Sequence, residues 1–219
     1  MSPASGGAPD RLAASWRRMW SGLGAAGDGR ALFEALVQRY DEPHRRYHTL
    51  QHLRECLDAF EAVAPLAERP AEVAAALWFH DAVHDIGRAD NEERSARWAQ
   101  EALAAAGSAP DAAARVAALV RATRHAALPA LPDERLVADI DLAILGAAPR
   151  RFAQYERQVR AEYAAVPEET FRHRRRAILQ AFLDRPHLYG TAHFRQALEA
   201  RARDNLARAI ASTGPPPAT

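Results

Sequence analysis

The chain has 219 residues, of which 48% are apolar and 26% charged, and its 29 basic and 28 acidic side chains leave a net charge of +1. That length suits one domain with a real core, and the charge balance excludes a global drive toward nucleic acid or an anionic membrane surface. No apolar run approaches the roughly 20 residues that a membrane span requires.

Taken in chain order, residues 1–9 read as a flexible leader without the basic and apolar regions of a signal peptide. Alanine, leucine, arginine and glutamate dominate the rest of the chain, and alternating β-branched runs are absent, so the expected fold class is all-α, a bundle of roughly nine or ten helices over residues 10–211. Leu12, Trp16, Met19 and Trp20 mark the first apolar stripe, and Leu32, Phe33, Leu36, Val37 and Tyr40 the second. Pro43 interrupts the pattern within "DEPHRRYH". Thr49 is the expected N-cap of a third helix with Leu50, Leu53, Leu57 and Phe60 inward. Cys56, the single cysteine, sits in that helix; it cannot form an internal disulfide, and it fits a reducing compartment, with the cytoplasm the expected location. Pro70 opens a fourth helix with Val73, Leu77 and Val83 on its core face, ending at or just before Gly87. Asp90 and Glu93 resemble a capping box for a fifth. A sixth runs from Pro110 toward His125, "HAALPALPDE" is a loop, and a seventh holds "DERLVADIDLAILG". Two or three more come after it, broken near Pro149, Pro167 and Pro186, before a flexible tail at 212–219.

Five of the nine histidines, His48, His52, His80, His84 and His125, fall in the middle of the chain. His48/His52 and His80/His84 are spaced i, i+4, which puts each pair on one face of a continuous helix. Any one of these residues alone reads most simply as a hydrogen-bonded core histidine. His80 and Asp81, however, follow "ALWF" with no polar buffer, and Asp139 and Asp141 interrupt "LVADIDLAIL". Burying such groups is costly without strong partners, and a divalent cation that binds imidazole nitrogen and carboxylate oxygen satisfies both.

His52, the His80-Asp81 pair and an aspartate some 60 positions further on resemble the HD superfamily of metal-dependent phosphohydrolases. The stretches "YHTLQHL", "WFHDAVHD", "DNEERSA", "ATRH" and "DIDLAILG" resemble its branch of predicted metal-dependent HD phosphohydrolases. The resemblance covers residues 40–210 and implies an HD-domain-like helical bundle. It implies metal ligands His52, His80, Asp81 and Asp141, with Asp139 the rival for the last place and the other aspartate orienting a histidine. It also implies one divalent ion (Mn, Fe, Co, Ni or Mg) and a small phosphorylated substrate such as a nucleotide. "HDAVHD" resembles the HDxxED segment of guanosine-tetraphosphate hydrolases, with His84 in place of the glutamate. Asp85 is accordingly a candidate acid/base, or a cap of the following turn. His48 and His125 are candidates at the catalytic pocket. Glu92 is a candidate for orienting ligands or water, or a first-turn helix charge. Arg45, Arg46 and Arg124 are candidate phosphate contacts, with solvated surface as the alternative. Two rival readings are a non-catalytic metal- or nucleotide-binding sensor module and a di-iron HD oxygenase using His84 and His125 for a second iron. The basic run at 171–176 lacks interleaved aromatics and reads as a solvated face. The oligomeric state is not legible.

Overall fold

A computed structural model describes residues 8–212 of the chain. The described residues form ten α-helices and no strand: α1 Ala8–Gly22, α2 Arg30–Tyr40, α3 Leu50–Val63, α4 Pro70–Phe79, α5 Asn91–Ala105, α6 Pro110–Ala122, α7 Pro132–Asp141, α8 Pro149–Glu162, α9 Glu168–Leu183 and α10 Ala192–Ser212. Two short 3-10 turns succeed α3 and α7. The expected leader and tail fall largely outside the described residues, although α1 already contains residues 8 and 9 and α10 reaches Ser212. None of these helices is long and apolar enough to cross a membrane.

The fold is organised around α4. Its residues are apolar on every side, the pattern of a helix buried all round. Val73, Leu77, Trp78 and Phe79 are fully buried, and α1, α3, α5, α6 and α7 all pack on it. Trp78 meets Trp16 of α1 edge-on, with ring centroids 5.3 Å apart, and Phe33 of α2 at 5.6 Å. α3 starts where Thr49 accepts a hydrogen bond from the Gln51 amide at 3.2 Å, and it buries His52, Leu53, Cys56, Leu57 and Phe60.

Three local expectations are corrected. α4 stops at Phe79, eight residues before Gly87, because other partners take its last hydrogen bonds. The His80 Nδ1 donates to Leu77 O at 2.8 Å, and the Asp81 amide donates to the Tyr40 hydroxyl at 3.3 Å instead of continuing the helix. His80 and His84 therefore share no helix face, Val83 is only half-buried, and Gly87 sits in a separate turn with φ 87°. No capping box forms at α5: Asp90 pairs with Arg88 and Glu93 with Arg121, both at 2.7 Å. The seventh helix ends at Asp141, and Leu142–Gly146 tightens into a 3-10 turn. Asn205 of α10 holds that turn through Leu145 O and Ala147 O at 2.8 and 2.9 Å.

Truncating Leu77 at the centre of α4 is expected to cost about 2–5 kcal/mol, whereas Leu66→Ala, at an exposed position, should stay within about 0.5 kcal/mol. Urea unfolding of the two variants checks this, and equal midpoints would contradict a core centred on α4.

Candidate metal centre

Three elements bring four side chains to one point at the C-terminal end of α4. α3 supplies His52, the turn leaving α4 supplies His80 and Asp81, and the last residue of α7 supplies Asp141. His52 Nε2 lies 3.0 Å from His80 Nε2, 3.1 Å from Asp141 Oδ1 and 3.4 Å from Asp81 Oδ2. His80 Nε2 lies 3.1 Å from Asp81 Oδ2 and 3.6 Å from Asp141 Oδ1. Both imidazoles are buried, while the carboxylates keep 19% and 16% of their surface.

The donor set fits a cation. Because a carbonyl only accepts, His80 Nδ1 carries the proton it gives to Leu77 O, which leaves Nε2 pointing into the cluster. It faces the Nε2 of His52 at 3.0 Å, a separation that needs positive charge between the two nitrogens, whether a shared proton or a bound cation. Burial alone would lower the pKa of both imidazoles. For His52 the neighbouring Cys56 thiol and then Asp141 and Asp81 outweigh it, and for His80 chiefly Asp81 does, so both rise well above the ordinary value. Burial likewise opposes ionisation of Asp81 and Asp141. Nonetheless His80 and His48 hold the first, and His125, His52 and His80 the second, well below the usual carboxylate range.

The aspartate rivalry has a clear geometry. Asp141 lies in the cluster. Asp139, two positions earlier on the helix, turns to the entry of α10, where it accepts from the amides of Gly190 and Thr191 and from the Thr191 hydroxyl, each at 2.7 Å.

Other candidates fall into two groups. His125 Nε2 donates to Asp141 Oδ2 at 2.7 Å. Its backbone has φ 54°, the only positive φ outside glycine among the described residues, a strained conformation that persists where surroundings over-determine it. His48 packs face to face with His84 at 4.0 Å, and both rings meet the buried Glu162, His48 Nδ1 at 2.5 Å and His84 Nε2 at 2.9 Å from Oε1. The other oxygen of Glu162 accepts the amides of Arg46, Tyr47 and His48 at 2.8, 3.0 and 3.2 Å. Burial opposes its ionisation, but the two imidazoles prevail and press its pKa far below the ordinary value. His84 and His125 are thus held by different carboxylates.

Two assignments are corrected. Arg45 is buried, and its guanidinium is consumed by Glu42, His48 O, Asp81 O at 2.6 Å and Ala82 O; it anchors the turn carrying Asp81 and has no accessible fork for phosphate. Asp85 is exposed and pairs with Arg94, while its backbone exchanges hydrogen bonds with the Asn91 side chain. It closes the turn before α5, a capping role in place of an acid/base one, and makes no contact with the cluster. Arg46 and Arg124 are exposed with no ion pair among the described residues, and Glu92 is half-buried at the start of α5.

Sequence reasoning misses Glu162, which lies 114 positions from His48 in an unremarkable helix end, and Cys56 as a neighbour of the centre, its sulfur 3.7 Å from both ring nitrogens of His52. The i+4 spacing of Cys56 from His52 is a usable signal. Cys56 joins His52, His80 and Asp141 as a group of ligand atoms within 4.8 Å of one another, and His48, His84 and Glu162 form a second such group. In the second group the 2.5 Å contact is that of a hydrogen bond, shorter than two ligands of one ion normally stand. No family model, curated protein or solved structure matches the chain.

Glu162 accepts five hydrogen bonds, so Glu162→Gln sets an amide group against donors and is expected to lose about 1–3 kcal/mol. Its folded pKa is depressed, so its contribution is present above the unfolded value of about 4.3 and disappears as pH falls through the folded value. Urea midpoints between pH 7 and acid should fall less steeply in the variant; identical slopes would contradict the depressed pKa.

Proposed function

We propose that the chain is a metal-dependent phosphohydrolase of HD type, acting on a phosphate ester or anhydride of a nucleotide or other small metabolite. The observation carrying this reading is the convergence of two buried imidazoles and two part-accessible carboxylates, from three elements, on one point. His52, His80, Asp81 and Asp141 would hold the ion, and mixed nitrogen and oxygen donors suit Mn, Fe, Co, Ni or Mg. A divalent ion held there supplies a Lewis acid for the phosphoryl oxygen and acidifies water.

The rest belongs to this chain's residues. Hydrolysis joins the oxygen of water to phosphorus and breaks the phosphorus–oxygen bond to the leaving group; one proton departs from the water and one arrives on the leaving oxygen. His48 and His125 are suited to these transfers. Each ring is oriented by a carboxylate, Glu162 or Asp141, and each is partly accessible. Glu162 is a positioning residue: as a carboxylate it only accepts, so the proton of His48 stays on Nδ1 and Nε2 is left for exchange. Arg46 and Arg124, exposed and next in sequence to this machinery, offer guanidinium groups to the phosphate.

Asp81→Asn keeps the backbone carbonyl that Arg45 holds, so it should fold while losing bound metal. Manganese or cobalt should raise the melting temperature of the native chain, by the equivalent of about 2.7 kcal/mol at 100 times Kd, and should leave Asp81→Asn unmoved. Phosphate release from a panel of nucleotides should fall in that variant by more than the roughly 10–100-fold typical of losing a supporting partner. Metal-free protein with no turnover on any member of the panel would defeat the reading.

A further inference from the structure

A cavity of 340 Å³ opens beside the metal centre, between the segment before α3 and helices α8 and α9, with Tyr47, His48, Tyr155, Tyr163, Phe171 and Arg174 among its lining. It shares a wall with the centre: the Tyr47 ring lies 4.7 Å from that of His52, and His48 belongs to both. Its surface is dominated by rings, with Tyr47 against Tyr155 at 4.6 Å and Tyr163 near Phe171 at 6.3 Å. The size lies at the lower end of the roughly 300–1,000 Å³ of small-molecule sites, which combine apolar walls with a few placed polar groups.

Three observations remain unexplained by folding alone. The Tyr47 hydroxyl is buried with no hydrogen-bond partner among the described residues, whereas buried polar groups are almost always paired. Ile178, in the cavity lining, leaves 49% of its surface in water. Arg174 is exposed with no ion pair among the described residues, whereas its neighbour Arg175 is committed to Glu156 and lies 5.0 Å over the Tyr155 ring.

We propose that this cavity is the subsite for the organic half of the substrate and selects a flat, ring-bearing group, stacked on its aromatic wall, over flexible polyol phosphates. The inference rests on the phosphohydrolase reading for its reaction but not for its binding. A planar group gains from several ring faces at once, whereas a polyol would desolvate its hydroxyls against walls that offer few partners. Arg174 answers negative charge left outside the metal centre.

The test pairs turnover with binding on the full chain. Naphthyl phosphate and glycerol phosphate are compared as substrates with manganese present, and naphthol, which has nothing to hydrolyse, is titrated by its own fluorescence. We expect naphthyl phosphate to be preferred by about tenfold or more in kcat/KM, the scale of one stacked ring, and naphthol to bind. Phe171→Ala and Ile178→Glu should each lower that ratio and weaken naphthol; Ile178 is exposed, so its replacement tests the cavity even if Phe171→Ala fails to fold. Naphthol binding that both variants weaken, without turnover of either ester, would uphold the subsite and overturn the hydrolase reading. Turnover with no ring preference and no naphthol binding would do the reverse. Binding that neither variant changes would overturn the subsite.

Discussion

The centre depends on how a fully buried helix is allowed to end. α4 runs through the core, and its last carbonyls emerge where water cannot satisfy them. The protein meets them with side chains: His80 Nδ1 takes Leu77 O and the Tyr40 hydroxyl takes Trp78 O, while the buried Arg45 holds the turn beyond the helix through Asp81 O and Ala82 O. Tyr40 also receives the Asp81 amide, and burial pushes its pKa up to about 12, so it remains a hydroxyl at neutral pH. One set of bonds thus terminates the helix, orients the His80 ring and aims the Asp81 carboxylate.

Four carboxylates of the fold each carry a defined load. Asp141 accepts from or faces three imidazoles, Glu162 binds two imidazoles and three amides, and Asp139 fastens the start of α10. Asp133 does the same for the chain entering α4, accepting from the amides of Glu68 and Arg69 at 2.8 and 3.0 Å. The two acids that only brace the fold are fully supplied by amides and a hydroxyl. The acids at the centre are supplied by imidazoles, whose protons can move. This difference in partners, more than burial, separates the two pairs of carboxylates.

The helices were legible because their apolar periodicity, Pro at first turns and the Thr49 cap are local signals. The termination of α4 was not, because the donor to Trp78 O is Tyr40, 38 positions upstream, and the turn beyond is held by Arg45, 36 and 37 positions upstream, and no local rule sees them. The same distance problem governs the site. His52, His80, Asp81 and Asp141 stood out as polar groups inside apolar stretches, and those four are brought together. Arg45 and Asp85 looked functional by adjacency to them, yet one is spent inside and the other on the surface. Glu162 carried no signal at all: a glutamate near a helix end is ordinary until three backbone amides from a loop in another part of the chain close on it.

The geometry also limits which changes the fold can absorb. His125 is held in a left-handed conformation at a cost of about 1–3 kcal/mol, and its ring serves Asp141 while its carbonyl receives Arg185. Glycine there would relieve the backbone and remove the imidazole; alanine would keep the strain and lose the contact that offsets it. Neither is neutral for the centre, although glycine would be the better choice for stability alone. That a strained residue is retained at this position, where a relaxed one would serve the helix end better, makes sense if the imidazole on Asp141 is what the position is for.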